Sequence, residues 1–371
     1  MKTVRRLLYS DVLGAIAFVA VAFLALFFFI DVVDELERVG RGGYQLHQAL
    51  LYCLLLLPGH LYVLMPIAVL IGTIYALARM AQSSEFTILR VSGLGPQRAL
   101  TLLLGLGLAF AAATFLLGDY LAPALDREAH AVRTAARGGT AFGQAGTWLK
   151  DRQSASEGEE RSYSVQVTAA GPDGRLRNIR LYEFDADARL VGQLQAESAV
   201  VGDDGVWQLT GVQRSRWQPR TTEGDLEVTE ERLEALEWRS TLTRNVVVAA
   251  VRPPSEMSAL DLFRYMTHLS DNEQAAQRYE IQFWKKVLYP FACLVMVMLA
   301  LPFAYLHSRS GGISLKVFGG IMLGISFVLL NNVFTHIGLL QDWTPWVAAA
   351  TPSAVYFLLS LLAFNWLVRH R

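Results

Sequence analysis

The sequence predicts an α-helical polytopic membrane protein, six transmembrane helices arranged three plus three, with an all-β, jelly-roll-like domain inserted between helices three and four. Three observations lead there. Six stretches of 19 or more residues contain no Asp, Glu, Lys or Arg, at 12–30, 49–78, 99–118, 287–306, 317–335 and 344–368. Of the 33 basic and 33 acidic residues, 46 fall between Pro123 and Lys286, so the zero net charge averages two different materials. Within that charged centre the apolar pattern changes from helical to period two.

The apolar stretches are taken in order. A helix needs about 20 residues to cross the hydrocarbon core, and backbone groups exposed to lipid must pair within their own segment. Runs this long and unalternating therefore read as helices, not barrel strands. The predicted spans are 12–30, 55–78, 99–121, 287–306, 315–335 and 345–368. The first run is too long for a cleaved leader and has no small-residue cleavage site, so it is expected to be retained. The resulting division is a first membrane half over 1–122, a β domain over 123–257, a connecting helix over 258–286 and a second membrane half over 287–371.

Basic residues set the expected orientation. With the N-terminus in the cytoplasm, Lys2, Arg5, Arg6, Arg79, Arg90, Arg98, Arg309, Lys316, Arg369 and Arg371 share one side with only Asp11 and Glu85. The opposite short loops hold Arg38 and Arg41 against Asp31, Asp34, Glu35, Glu37 and Asp342. This asymmetry predicts both termini cytoplasmic and the central insert outside the cytoplasmic membrane.

In the insert, 162–168, 176–184, 206–213 and 225–229 alternate as half-buried strands, with Val165, Ile179 and Leu181 facing inward. Asp173-Gly174 and Asp204-Gly205 supply hairpin turns. Many short strands with frequent turns predict a two-sheet sandwich or jelly roll. Residues 153–161 (QSASEGEER) read as a loop, and Ser255 or Ser258 as the cap of the connecting helix.

No phosphate loop, HExxH, GxSxG or cysteine-rich metal spacing occurs, so no catalytic residue, metal site or cofactor is assigned to this chain. Cys53 and Cys293 lie inside spans and suggest no disulfide framework. His60 and His336 read as packing or interfacial residues. Nothing points to nucleic-acid binding. The segment 79–93 (RMAQSSEFTILRVSG) predicts a short helix over about 83–91, capped by Ser83 or Ser84, with Phe86, Ile88 and Leu89 on one face and Glu85 and Arg90 at its ends. Such a helix either presses into a groove on a soluble partner or lies on the bilayer.

Three segments, 33–44 (VDELERVGRGGY), 81–86 (AQSSEF) with Ser92-Gly93, and 118–123 (GDYLAP), together with the order of spans and β insert, resemble the LptF/LptG permease family of lipopolysaccharide export over nearly the whole chain. The resemblance implies a permease subunit of an ABC transporter that draws lipopolysaccharide from the outer leaflet of the inner membrane and passes it toward the outer membrane. It implies a heterodimer with a sister permease, LptF, and two cytoplasmic ATPase subunits, LptB, which bind the ATP and Mg. A single-span regulator, LptC, and a periplasmic bridge, LptA, are further implied partners. The short helix corresponds to the family's coupling helix, with Glu85, Phe86, Leu89 and Arg90 meeting the ATPase.

For lipopolysaccharide, with acyl chains and phosphorylated sugars, an apolar wall and a cationic rim are expected. The wall would come from Phe27, Phe28, Phe29, Ile30, Leu64, Phe327, Leu330 and Phe334, and the rim from Arg38, Arg41, Arg133 and Arg137. Asn331 and Asn332, polar residues inside the fifth span, read either as interhelical hydrogen-bonding groups or as part of a lateral gate. The chain departs from the family where Asp31 replaces a lysine at the end of the first span and Glu37 replaces a loop lysine, which puts the phosphate grip at that end in doubt. The competing functional class is a non-transporting scaffold or mechanotransmission subunit whose periplasmic domain binds a partner. Ion-coupled transport is disfavoured by the lack of paired carboxylates within the spans.

Overall fold

The computed structural model describes residues 2–40, 43–91, 93, 95–136, 147–154, 160–170, 175–202, 204–219, 226–250, 254–271, 276–305 and 312–369. Among them the chain forms two compact units. The first contains Met1–Glu37, Leu50–Arg127 and Gln277–Arg371, and the second contains Arg38–Ala49 and Glu128–Ala276.

The first unit is built on six helices long and apolar enough to cross a membrane. They are α1 (Lys2–Leu36), α2 (Leu46–Gln82), α4 (Pro96–Leu116), α8 (Gln277–Tyr305), α9 (Ile313–Leu340) and α10 (Pro345–Arg369), with the short α3 (Glu85–Val91) between α2 and α4. Proline interrupts α2 at Pro58 and Pro66 and α8 at Pro290 and Pro302 without ending either helix. That is tolerated where neighbouring helices re-satisfy the freed backbone groups. Helix α4 does not stop at the predicted boundary. It runs through a π-helical turn, Leu117–Leu121, into α5 (Ala122–Ala136).

Small residues decide how closely these helices pack. A Cβ on Gly320 would lie 2.7 Å from Ile74 Cδ1, and one on Gly324 2.9 Å from Ile67 Cγ2, so this glycine pair spaced by four lets α9 settle onto α2. Likewise a Cβ on Gly72 would lie 2.6 Å from Ile16 Cα. At the π-turn the Tyr62 ring occupies the space where Gly118 would carry a Cβ, 2.2 Å away. A physical reason for Gly118 in the motif 118–123 follows: the tyrosine needs the hole.

The second unit is dominated by six antiparallel strands: β1 (Thr147–Ser154), β2 (Glu160–Ala170), β3 (Leu176–Phe184), β4 (Leu190–Val201), β5 (Val206–Pro219) and β6 (Leu226–Arg239). They pair in chain order as one meander. Strands β1 and β4 are additional to those read from the sequence, and β6 runs ten residues beyond its predicted end. Residues 153–154 and 160–161, read as loop, extend β1 and β2. The Asp204-Gly205 turn forms as expected, with Gly205 at φ +79° and the Asp204 carboxylate accepting from Val206 N–H at 3.2 Å. Asp173-Gly174 lies outside the described residues.

The jelly-roll-like interior arises by curling a single hydrogen-bonded sheet, not by stacking two separately paired ones. In a flat sheet β2 and β6 would stand about 19 Å apart and β1 and β6 about 24 Å. Instead Tyr163 of β2 and Trp238 of β6 place their ring centroids 5.5 Å apart, and Gln153 Nε2 of β1 donates to the Arg239 carbonyl at 2.7 Å. The closing contact is centred on Asp151, 0% exposed, whose carboxylate accepts from Ser240 Oγ at 2.8 Å, from Gln153 Nε2 at 2.7 Å and from the Thr241 hydroxyl. Beside it Trp207 is fully buried and donates its indole N–H to the Leu242 carbonyl at 2.8 Å.

Inside the curl lie Leu149, Val165, Val167, Ile179, Leu181, Leu194, Ala196, Leu209 and Val212, all buried. The inward positions predicted at Val165, Ile179 and Leu181 are among them. Beyond the sheet come α6 (Arg244–Ala250), a 3₁₀ turn at Pro254–Glu256 and α7 (Ala259–Asp271). Ser258 caps α7, its Oγ accepting from Asp261 N–H at 3.1 Å. The single connecting helix expected over 258–286 is instead two: α7 ends at Asp271 and α8 starts at Gln277.

Gly118→Ala is expected to lower the melting temperature of the detergent-purified protein, because overpacking a tight contact costs about 1–3 kcal/mol. Adding Tyr62→Leu should recover part of the loss. Equal melting of wild type and Gly118→Ala in a fluorescence-detected thermal shift would refute the packing role.

Candidate functional site

Three groups of residues merit construction from their surroundings, beginning with α3. The chain leaves α2 through Ser83, whose hydroxyl donates back to the Met80 carbonyl at 3.3 Å, and Ser84, which adopts φ +62° and accepts Ile88 N–H at 3.0 Å. Neither serine side chain caps α3 in the predicted manner. Beside the turn, Arg79 of α2 pairs with Asp11 of α1 at 3.0 Å.

Within α3 the predicted grouping needs correction. Phe86 is 3% exposed and meets Tyr305, at the end of α8, edge-on with centroids 5.1 Å apart, and Leu89 is buried too. Ile88 and Val91 are 63% and 86% exposed, and Glu85 is exposed with them. Residues two apart on a helix point roughly 200° away from each other, so Ile88 cannot share the face of Phe86. Phe86 and Leu89 anchor the helix to the bundle, and Glu85, Ile88 and Val91 form its exposed face. Arg90 lies in α3, with its side chain outside the described residues.

The second group sits at the other end of α1 and α2. Asp31 Oδ2 and His60 Nε2 are 2.7 Å apart, and Phe27 stacks on the imidazole with centroids 5.0 Å apart and planes inclined by 17°. Thus His60, read as a packing or interfacial residue, partners the Asp31 carboxylate. Nearby on α8, Tyr289 donates to the Val63 carbonyl at 2.6 Å and packs on Tyr62, with Lys286 Nζ 6.0 Å from the Tyr62 ring. Among the residues predicted as an apolar wall, Ile30 is exposed, whereas Leu64 and Phe327 are buried in the helical core. Phe327 packs edge-on to Tyr356 at 5.2 Å, Leu330 lies against the same core and Phe334 faces Trp343 at 6.1 Å. Leu64 and Phe327 therefore hold helices together and present no side-chain surface to a ligand in this arrangement.

Of the predicted cations, Arg38 is exposed in a turn and Arg133 is half-buried in the last turn of α5. Arg41 and Arg137 lie outside the described residues. Asn331 is buried and donates from Nδ2 to the Phe327 carbonyl of its own helix at 3.3 Å, with no interhelical bond among the described residues, and Asn332 is exposed.

The third group was missed in the sequence. On the inner face of the curled sheet, Tyr163, Leu181, Glu183, Gly192, Leu194, Arg214, Leu236 and Trp238 surround a cavity of about 160 Å³. Glu183 accepts from Arg161 at 2.7 Å and from the Tyr163 hydroxyl at 3.3 Å. Burial, with the Glu183 charge second, raises the Tyr163 phenol above its ordinary value and keeps it neutral. Arg214 is pulled down from its ordinary value, first by burial and then by the neighbouring Arg216 charge. Alternation continued past Val212 would have placed Arg214 and Arg216 on its face.

The family model described as lipopolysaccharide export system permease LptF/LptG matches residues 6–366. The lipopolysaccharide export system permease protein LptG of Escherichia coli strain K12 is 29% identical over 336 residues, 90% of this chain and 89% of that protein. The protein of the same name from Haemophilus influenzae strain KW20/Rd is 26% identical over 362 residues, 97% of each chain.

Phe86→Ala is expected to destabilise the purified protein or melt α3 locally, since truncating a buried Phe costs about 3 kcal/mol or more. Ile88→Ala should leave thermal melting and hydrogen exchange of α3 at wild-type levels. The reverse ranking would show that the two faces are exchanged.

Proposed function

The chain belongs to the LptF/LptG family of lipopolysaccharide export system permeases, and from that premise we propose that it is a permease subunit of an ATP-driven exporter of lipopolysaccharide. In this reading it draws the lipid from the outer leaflet of the inner membrane and hands it, through its β domain, to a periplasmic bridge. The observation that carries the proposal is the match of one family over residues 6–366, which includes both the six apolar helices and the β region. The curled sheet supports it with a buried apolar inner face of the kind acyl chains require. The basic residues at the Arg79 and Arg98 end support cytoplasmic termini and a periplasmic β domain.

The partners follow the same premise: a sister permease, two ATPase subunits, a single-span regulator and a periplasmic bridge. The ATPase would bind ATP and Mg and supply the phosphate loop that this sequence lacks. Its contact with this chain is the exposed face of α3, where Glu85 offers a charge at the helix start and Ile88 and Val91 offer apolar surface. Such a face suits a groove that buries two aliphatic side chains and satisfies one carboxylate. Phe86 and Leu89 contribute by keeping the helix seated. Asn331 and Asn332 of α9 are the residues proposed for a lateral gate, and Ile30, Arg38 and Arg133 those proposed to meet the lipid on entry.

Purification of a tagged copy from native membranes in mild detergent, with mass spectrometry of proteins and lipid, tests the whole reading. Wild type should recover one homologous permease, an ATPase and lipopolysaccharide. Glu85→Ala combined with Ile88→Ala should lose most of the ATPase while retaining the sister permease. Recovery without lipid, or with an unrelated periplasmic partner alone, would favour a scaffold instead.

A further inference from the structure

The polar residues inside the β region are arranged unequally. Glu183 holds Arg161 and the Tyr163 hydroxyl. Arg214, in contrast, makes no hydrogen bond among the described residues; it lines the same cavity and feels the charges of Glu183 and of its cross-strand neighbour Glu231 without a direct bond to either. Its row across the sheet is apolar on one side: Val165 pairs with Leu181, Leu181 with Leu194, and Leu194 with Arg214. The next row runs Tyr163, Glu183, Gly192, Arg216. Gly192 keeps the space open, since a Cβ there would approach Glu183 Oε2 to 3.1 Å. A guanidinium with no hydrogen bond among the described residues is thereby left at the junction of an apolar wall and a polar row, with room beside it.

We propose that this cavity is a binding subsite for a phosphate carried on an acylated amphiphile, with Arg214 donating to the phosphate oxygens and Leu194, Leu236 and Trp238 covering the start of an acyl chain. This deepens the transport reading above and rests on it. Arginine matches phosphate oxygens with paired donors, and a charge-assisted bond in a partly desolvated cavity is stronger than one in water. Arg216, on the same face two residues along, adds a second positive charge. Glu183, by occupying Arg161 and repelling anions, confines the phosphate to the Arg214 side and prevents the cavity from becoming a general anion trap. The subsite would make the β region a station that reads the lipid's headgroup, not a featureless apolar slide.

The test uses the complete complex in nanodiscs, with a photo-crosslinking phenylalanine analogue at Leu236 in the cavity or at Ile30 in the membrane unit. The probes are lipopolysaccharide, the same lipid stripped of its lipid A phosphates, and inorganic phosphate. With ATP, Arg214→Gln should reduce lipid crosslinking at Leu236 by about tenfold while crosslinking at Ile30 persists, the loss expected for one charge-assisted bond. Arg214→Lys should restore most of it, which separates a lost charge from a misfolded sheet. Glu183→Gln should raise crosslinking, because the charge that repels anions from the cavity is then removed. The stripped lipid should crosslink weakly and equally in wild type and Arg214→Gln. Equal crosslinking of both lipids in all variants would overturn the subsite. Competition by inorganic phosphate with no difference between the two lipids would assign a free-anion site and overturn the lipid assignment. Absence of crosslinking at Ile30 in every form would count against transport itself, a failure distinct from that of the subsite.

Discussion

In hydrocarbon there is no water to satisfy a peptide group, and each part of this chain answers that constraint differently. The membrane helices satisfy it within their own backbones, so their side chains are free to be almost wholly apolar and charges gather at the ends. Tertiary specificity then comes from shape, because apolar side chains gain little by leaving apolar lipid. That is why glycines carry so much of the packing: Gly72 against Ile16, Gly320 against Ile74, Gly324 against Ile67 and Gly118 against Tyr62 each admit a neighbour that a methyl group would exclude. The π-turn at Leu117–Leu121 belongs with this set, since it occurs where Tyr62 intrudes and just before Pro123 removes a backbone donor.

The β region faces an opposite requirement, an apolar interior enclosed by one sheet. Its curvature has a visible crease. The pairing skips Asn178 of β3, Glu197 of β4, Gly211 of β5 and Glu234 of β6, each lying between paired neighbours, and Asn178 and Gly211 both take positive φ, +50° and +64°. Across these positions the inward parity changes: Leu176 gives way to Ile179 and Leu181, and Leu209 to Val212. A Cβ on Gly211 would meet the Glu197 side chain at 2.9 Å, so glycine serves there both the backbone angle and the close approach. The crease lets the sheet bend, and Asp151 fastens the bent form by joining β1 to the residues after β6.

The same crease explains what was legible in the sequence. The six spans were plain because a long uncharged run has few alternatives. Strands β2 and β3 were recognisable because Val165, Val167, Ile179 and Leu181 keep period two over most of their length. Strand β4 (LVGQLQAESAVV) was missed because its inward set, Leu194, Ala196, Ala199 and Val201, changes parity midway and includes two alanines. Strand β6 was cut short for a related reason: it is rich in glutamate and mostly exposed, so burial leaves little imprint on it. The site was less legible than the fold. Asp151 matters through Ser240 and Thr241, 89 and 90 residues away, and Arg214 through the cavity it shares with Glu183 and Leu194, and no local pattern announces such neighbours. At α3 the composition was read correctly but the face was not, because Phe86, Ile88 and Leu89 are all apolar and only the 100° step between residues separates anchor from exposed surface.

That separation bears on how a short helix could transmit force. Seven residues form at most two turns, too few for stability in isolation, where nucleation cost dominates. Left to itself α3 would yield under load by unwinding. Phe86 and Leu89 change this by seating the helix in the bundle core, with Phe86 held edge-on to Tyr305 at the end of α8. The Arg79–Asp11 pair ties the preceding helix end to α1, although a pair this exposed contributes little stability on its own. A push on Glu85, Ile88 and Val91 is therefore borne by side chains already packed against α8, and α8 in turn packs against α4, α9 and α10. Displacing α3 as a body requires those helices to shift with it, whereas bending it requires opening a buried aromatic contact. Movement of α3 as a body is the response that the coupling proposed above requires.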